Sequence, residues 1–133
     1  VLALCCGAPP AGSGVIDLPI ARVPGEKKFS PSPEGLASLT RYEVLASAGG
    51  ISLRRLRPET GRTHQIRVHL SALGCPIVGD RLYGGGTGAA RPLLHSASLR
   101  LVHPLTGAQI SVSAPLPGDM QEVLRAHEIE TVL

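Results

Sequence analysis

The chain is almost devoid of large aromatic side chains, and this restricts the core that it can build. Among its 133 residues there is no Trp, and Phe29, Tyr42 and Tyr83 are the only Phe and Tyr residues. A domain of this size hides roughly two-thirds of its unfolded surface, so Leu, Val, Ile and Ala have to fill the core. We therefore predict a β-rich unit, which suits a part of a larger domain at least as well as a complete small one.

Short apolar runs separated by Gly and Pro predict several strands and few helices. Ala48, Gly49 and Gly50 form a hairpin-turn signal between two of these strands. The predicted strands cover residues 1–6, 37–46, 51–57, 93–102 and 108–114. The fold class is then α+β, with a mixed, mostly antiparallel sheet and flanking helices. The whole chain, 1–133, is treated as one unit, with loops near 8–35 and 84–91.

Two segments have helical patterns, one over residues 63–73 and a terminal one over 119–127. Thr63 or Thr60 is the candidate N-cap of the first helix, and Gly74 ends it. Its core stripe comprises Ile66, Leu70 and Leu73. Its other face comprises Arg62, Gln65 and His69.

The start of the first helix has the features of an anion site. Helix N-termini present free N–H groups and the positive end of the dipole. Arg62 and Thr63 lie there, which makes a phosphate site plausible, and His64 and Arg67 follow within the next turn. After the helix, the sequence GDRLYG predicts a turn that carries Asp80, Arg81 and Tyr83.

Charge and cysteine usage are compatible with a nucleic-acid-binding protein of a reducing compartment. The net charge is +3, mostly from Arg, which suits phosphates and base edges, although ordinary surface charge explains so small a value equally well. Cys5, Cys6 and Cys75 form neither a CxxC pair nor an even set, so neither a disulfide framework nor a zinc site is indicated. A cytoplasmic location is the natural expectation.

The segment TGRTHQIRVHLSALGCPIVGDRLYG, residues 60–84, resembles the third sequence motif of the RluA-type RNA pseudouridine synthases. PPAGSGVIDLPIARVPGEKKF and ASLTRYEVLA resemble the segments that precede this motif. LLHSASLRLVHPLTGAQISVSAPLP resembles the closing strands of the family. The resemblance spans essentially the whole chain and corresponds to the C-terminal half of the catalytic domain.

The resemblance implies an enzyme that isomerises uridine to pseudouridine in structured RNA, either rRNA or tRNA. The uridine is flipped into a cleft, and the uracil is detached from C1′ and rejoined through C5. Neither a metal nor an organic cofactor is implied. Arg67 matches the arginine that contacts the catalytic aspartate, and Ile66 and Leu70 supply part of the apolar pocket wall. The expected RNA contacts are Arg62, Thr63, His64, Gln65 and Arg81.

The sequence departs from the family at two positions that matter for chemistry. The catalytic aspartate of the family lies in an HRLDxxTSG motif, and none of Asp17, Asp80 and Asp119 lies in such a motif. Val1 stands where the family pattern Y-x-A-L has a stacking tyrosine. We therefore expect the chain to be inactive without an N-terminal half of the same domain. The alternative is a truncated or degenerate module that binds RNA without catalysis.

Overall fold

A computed structural model describes residues 1–7, 12–86, 88–95, 98–102, 109–113 and 117–126, with the backbone course alone for 98–102 and 109–113. The strands are β1 (Leu2–Cys6), β2 (Ser13–Asp17), β3 (Ile20–Arg22), β4 (Phe29–Pro31), β5 (Leu39–Ala48), β6 (Ile51–Pro58), β7 (Leu94–His95), β8 (Ser98–Val102) and β9 (Gln109–Ser113). The helices are α1 (Gln65–Ala72) and α2 (Gly118–Ala126), with a 3₁₀ turn at Arg81–Tyr83.

The main sheet has five strands in the order β2-β5-β6-β1-β7, and each of its neighbouring pairs is antiparallel. β1 therefore lies inside the sheet, although it comes first in the sequence. Two further antiparallel pairs, β3–β4 and β8–β9, complete the described strands. The predicted α+β class with a mostly antiparallel sheet is confirmed.

The two helices cover opposite faces of this sheet, because alternate residues of β1 belong to different core clusters. Ala3 and Cys5 pack in one cluster with Leu70 of α1. Leu4, which points the other way, packs in a second cluster with Met120 and Leu124 of α2. Side chains of the central strands are consequently enclosed on both faces of the sheet.

The hairpin between β5 and β6 confirms the turn predicted from the sequence. Gly49 and Gly50 connect the strands with φ angles of 60° and 82°, the left-handed values that two-residue hairpin turns require. An irregularity in register falls between Val44 and Ala46. Both strands extend slightly beyond their predicted ends, and β6 ends at Pro58, just before the loop that leads to α1.

The segment predicted as a loop near 8–35 is more ordered than the sequence indicates. Within it, β2 forms an edge strand of the main sheet, and β3 pairs with β4 so that Arg22 lies opposite Phe29. The reason is tertiary, because Phe29 packs against a small core cluster of Ile20, Val68 and Tyr83. Local sequence does not reveal these partners.

The C-terminal predictions are partly tested. The strand predicted over 93–102 is divided into β7 and β8, and α2 begins one residue before its predicted start. The connection between the strands predicted over 93–102 and 108–114, and the predicted helix end at His127, lie outside the described residues.

Candidate RNA-modification site

Helix α1 begins at Gln65 rather than at Thr63, and it is not capped in the predicted way. Its N-cap residue is His64, which has a left-handed backbone (φ 56°, ψ 20°) and makes no side-chain cap hydrogen bond. Thr63 and Thr60 are therefore not N-caps. The C-terminus follows the prediction, since Gly74 has φ 85° and its N–H donates to the carbonyl of Ser71.

Gln65 is the buried centre of a hydrogen-bond network, which corrects the expectation that it contacts RNA. Its Oε1 accepts from the Thr60 hydroxyl at 2.6 Å and from the Arg62 backbone N–H at 3.1 Å. Its Nε2 donates to the carbonyl of Leu39 at 2.9 Å and to Thr40 Oγ1 at 3.0 Å. With 4% of its surface exposed, the side chain ties the start of α1 to β5 instead.

His69 continues this network one helical turn later, on the helix face that the sequence pattern separated from the core stripe. Its ring is completely buried. Nε2 lies 2.9 Å from the carbonyl of Leu18, an acceptor, so Nε2 carries the proton. Nδ1 then accepts from the Thr40 hydroxyl at 2.7 Å. Burial lowers the pKa of His69 below its ordinary value, although the bond to Leu18 opposes this shift.

We expect the protein to lose stability when the pH falls below about 6.5, the ordinary pKa of histidine. The folded pKa of His69 is depressed, so its stabilising contribution is complete above 6.5. As the pH falls below 6.5, the His69 ring is protonated in the unfolded chain before it is protonated in the folded chain. The free energy of unfolding therefore decreases until the pH passes the folded pKa. Urea unfolding between pH 7.5 and 5 measures this.

The control for this pH dependence is His69→Gln, which keeps a neutral hydrogen-bonding side chain and removes the titrating ring. Its stability should vary less with pH than that of the wild type. The pKa of His64 is also lowered, chiefly by burial, so His64→Asn separates the two contributions. If His69→Gln keeps the full pH dependence, the assignment to His69 is wrong.

Arg67 lies on the partly open side of α1 and forms a two-pronged ion pair with Asp80. Nε donates to Oδ2 and Nη2 donates to Oδ1, both at 2.9 Å. The Asp80 side chain is completely buried, whereas 22% of the Arg67 side chain is exposed. The hydrogen bond with Asp80 raises the pKa of Arg67. This geometry holds one edge of the guanidinium group rigidly.

Tyr83 forms the floor beside this ion pair. The Arg67 guanidinium lies 5.0 Å from the centre of the Tyr83 ring, and Lys28 Nζ lies 5.8 Å from it. Ser71 Oγ donates to the Tyr83 carbonyl at 2.7 Å, which attaches the 3₁₀ turn to α1. Asp80 and Tyr83 thus hold the turn in place, and they also define the surroundings of Arg67.

Two glycines shape the loop that delivers Asp80. Gly79 has φ 84°, and a Cβ atom there would collide with the carbonyl of Arg91. At Gly85, a Cβ atom would collide with the carbonyl of Ile77. Gly85 N–H also donates to the Asp80 carbonyl at 2.7 Å, so the loop closes on itself around the buried carboxylate.

The other predicted site residues differ in accessibility. Thr63 and Arg81 are exposed, and Arg62 is partly exposed with its Nε bonded to the carbonyl of Ala37 at 3.1 Å. Arg62 and Thr63 line a cleft of about 410 Å³ beside the β3–β4 pair. Ile66 is partly buried, but Leu70 is completely buried in the core and does not line an open pocket in this chain.

Sequence reasoning missed a buried arginine. Arg54 has no exposed surface, and it donates from Nη2 to Cys75 Sγ at 3.2 Å and from Nε to Ser52 Oγ at 3.3 Å. Its Nη1 is the one buried side-chain nitrogen or oxygen of the described residues that lacks a hydrogen-bond partner. The signal was the pair Arg54-Arg55, because adjacent strand residues point to opposite faces and here both faces are covered.

Within the described parts of the chain, no three His, Cys, Asp or Glu side chains cluster in a way that could hold a metal ion. None of the described helices combines the length and apolar character that a membrane crossing requires.

Solved structures with the same architecture define the class of this fold. The human RNA pseudouridylate synthase domain containing 1 superimposes with a TM-score of 0.74 and 30% identity, covering 96% of this chain and 64% of that protein. The human RNA pseudouridylate synthase domain containing 4 superimposes with a TM-score of 0.75 and 26% identity, covering 98% of this chain and 62% of that protein. The fold is that of an RNA pseudouridylate synthase domain.

Sequence comparison agrees and assigns the family. The sequence model of the RNA pseudouridylate synthase family matches residues 2–72. An RNA pseudouridine synthase of Chloroflexus aurantiacus is 47% identical, covering 92% of this chain and 40% of that protein. The ribosomal large subunit pseudouridine synthase D of Haemophilus ducreyi is 39% identical, covering 85% and 40%. The chain belongs to the RNA pseudouridylate synthase family, as the resemblance implied, and it spans less than half the length of these curated relatives.

Proposed function

We propose that the chain is the C-terminal part of the catalytic domain of an enzyme that isomerises uridine to pseudouridine in structured RNA, rRNA or tRNA, in the cytoplasm. The initiating carboxylate would come from an N-terminal half of the same domain that carries the HRLD motif. The three aspartates of this chain are poor candidates for that role. Asp80 is buried against Arg67, Asp119 is paired with Arg91, and Asp17 lies on the edge strand β2.

The observation that carries this proposal is the free edge of Arg67. Asp80 occupies Nε and one side of Nη2, whereas Nη1 makes no hydrogen bond to any described residue. Nη1 is not buried, because the buried unpartnered side-chain atom of the described residues belongs to Arg54. A guanidinium that is fixed on one edge and open on the other is suited to orient a second carboxylate. Partly buried Ile66 would contribute to the pocket wall, with Leu70 packed beneath it.

The surface around the start of α1 supports an RNA partner. Arg62, Thr63 and Arg81 are accessible there, and Lys28 adds a charge over the Tyr83 ring. Arginine and lysine side chains at such a position neutralise phosphates and fix the register of the RNA without reading its sequence. We propose these residues, together with His64, as the RNA contacts of this chain. Gln65 is omitted because its polar atoms are engaged in the core.

The test is tritium release from RNA that contains uridine labelled at C5. We expect the complete gene product to release tritium and the 133-residue chain alone to remain at background, because positioning groups do not replace the initiating carboxylate. Release by the chain alone would refute the assignment of that carboxylate to another segment. If the complete product binds RNA and releases nothing, the alternative of a binding module without catalysis is correct.

A further inference from the structure

His64 has a strained backbone that its helix does not explain. Among the described residues it is the one non-glycine with a positive φ, at 56°. Such a conformation costs of the order of 1–3 kcal/mol and persists when surrounding contacts impose it. The residue stands at the N-cap of α1 but makes no capping bond with its side chain. The strain therefore serves to place the imidazole ring rather than to start the helix.

The ring is held by Tyr83 and Phe29. The Phe29 backbone N–H donates to the Tyr83 hydroxyl oxygen at 3.0 Å, and the same hydroxyl lies 2.8 Å from His64 Nδ1. Both aromatic rings also meet the imidazole edge-on, with ring centres 5.7 and 5.6 Å away. The hydroxyl, which accepts from Phe29, can donate its own proton to Nδ1. In the neutral ring, Nε2 then carries the hydrogen.

The surroundings keep the imidazole neutral. Burial lowers the pKa of His64, the positive charge of Arg67 lowers it further, and Asp80 opposes these effects. Lys28 Nζ lies 5.8 Å from the centre of the Tyr83 ring and adds another positive charge to this surface. Nε2–H makes no hydrogen bond to any described residue and, like Arg67 Nη1, is not among the buried unpartnered atoms. A neutral donor of fixed direction thus faces solvent, and both His64 and Arg67 lie beside the Tyr83 ring.

We propose that His64 is a specificity-determining residue that donates from Nε2–H to an uncharged oxygen of the RNA substrate, a base carbonyl or a ribose hydroxyl. The proposal rests on the function proposed above and adds the recognition chemistry of one residue. A neutral donor distinguishes such oxygens without adding to the phosphate attraction that Arg67 and Lys28 already supply. A phosphate acceptor would instead favour the charged imidazole and would make binding tighter at low pH.

The experiment uses the complete protein and two variants that separate ring from backbone. His64→Gly accepts the left-handed backbone and removes the ring, and His64→Asn tolerates that backbone and keeps an N–H donor. One lost neutral hydrogen bond corresponds to a roughly 2- to 12-fold rise in Kd and KM. We expect this rise for His64→Gly, in which relief of the backbone strain offsets the lost ring contacts so that thermal stability changes little. His64→Asn should recover part of the affinity. Normal Kd and KM with a lowered Tm would show that the ring is purely structural and would overturn the proposal.

Modified RNAs then identify the acceptor. If it is a ribose hydroxyl, 2′-deoxyuridine at the target position abolishes the difference between the wild type and His64→Gly. If it is a base carbonyl, 2-thiouridine or 4-thiouridine abolishes it. If the difference in Kd between the wild type and His64→Gly persists with all three modified RNAs and increases below pH 6.5, the acceptor is a phosphate and the proposal is overturned. Kd is measured independently of tritium release. A catalytically inactive wild type would therefore refute the proposed function, while the Kd values would still test the His64 contact.

Discussion

Arg67→Ala is expected to destabilise the protein by about 3–5 kcal/mol, because it leaves the Asp80 carboxylate buried without its partner. Asp80 has no exposed surface, so its charge depends on the guanidinium for compensation. Asp80→Asn should cost less, since the partly exposed Arg67 side chain still reaches solvent. The double variant Arg67→Ala/Asp80→Ala should recover part of the loss. Urea unfolding of the three variants measures these differences.

In the complete enzyme, the same variants separate structure from chemistry. If Arg67 orients the catalytic carboxylate, the double variant regains stability and not turnover, and kcat falls more than RNA affinity. Arg67→Lys should restore the charge without the planar fork and recover only part of the rate. Arg91→Met, which breaks the exposed pair with Asp119, is the matched control and should change stability by no more than about 1 kcal/mol. Near-normal single-turnover rates in Arg67→Ala with lost binding would make Arg67 a phosphate ligand.

Arg54→Met is expected to stabilise the protein by about 1–4 kcal/mol, since apolar side chains of similar size often replace buried charges favourably. Arg54 is buried, its Nη1 has no partner, and its described hydrogen bonds go to Ser52 Oγ and Cys75 Sγ. Its contact with the Tyr42 ring, 5.1 Å away, offsets only part of the cost of burying the charge. The measurement is the urea midpoint at constant m-value.

Arg55→Met is the matched control for this substitution, because Arg55 is the next residue of β6 and points to the opposite face. Its side chain is 45% exposed and forms a long 3.6 Å contact with Glu43. We expect a change within about 0.5 kcal/mol. If Arg54→Met destabilises the protein while Arg55→Met is neutral, the guanidinium group of Arg54 has a compensating partner, and its burial is favourable.

The regular elements could be predicted because their signals are local. Gly49-Gly50 specifies a hairpin turn, and Gly74 ends α1, so the positions of β5, β6 and α1 follow from neighbouring residues. The pairing of β3 with β4 could not, since Phe29 is ordered by Val68 and Tyr83, which lie far along the chain. The insertion of β1 between β6 and β7 likewise depends on long-range pairing.

The sequence predicted which residues form the candidate site, but it did not predict which of them are buried and which are exposed. Gln65, Arg67 and His69 are alternate residues of one motif. Gln65 and His69 nevertheless face the core, whereas Arg67 lies on the partly exposed side of α1. A helical projection did not assign Gln65 and His69 to the buried side, because α1 is covered by the sheet and also by the β3–β4 pair. Polar residues at helix positions enclosed in this way are recognised only when their hydrogen-bond partners, Thr40 and Leu18, are known.

The closed loop around Asp80 has a consequence for natural sequence variation. No L-amino acid with a side chain fits at Gly79 or Gly85 unless the backbone carbonyls of Arg91 and Ile77 move. A missense change at either codon would therefore displace Asp80 and Arg67 while leaving every charged residue of the site intact. Alleles of this kind would look harmless to a survey of charged side chains, although they would disturb the loop that holds Asp80.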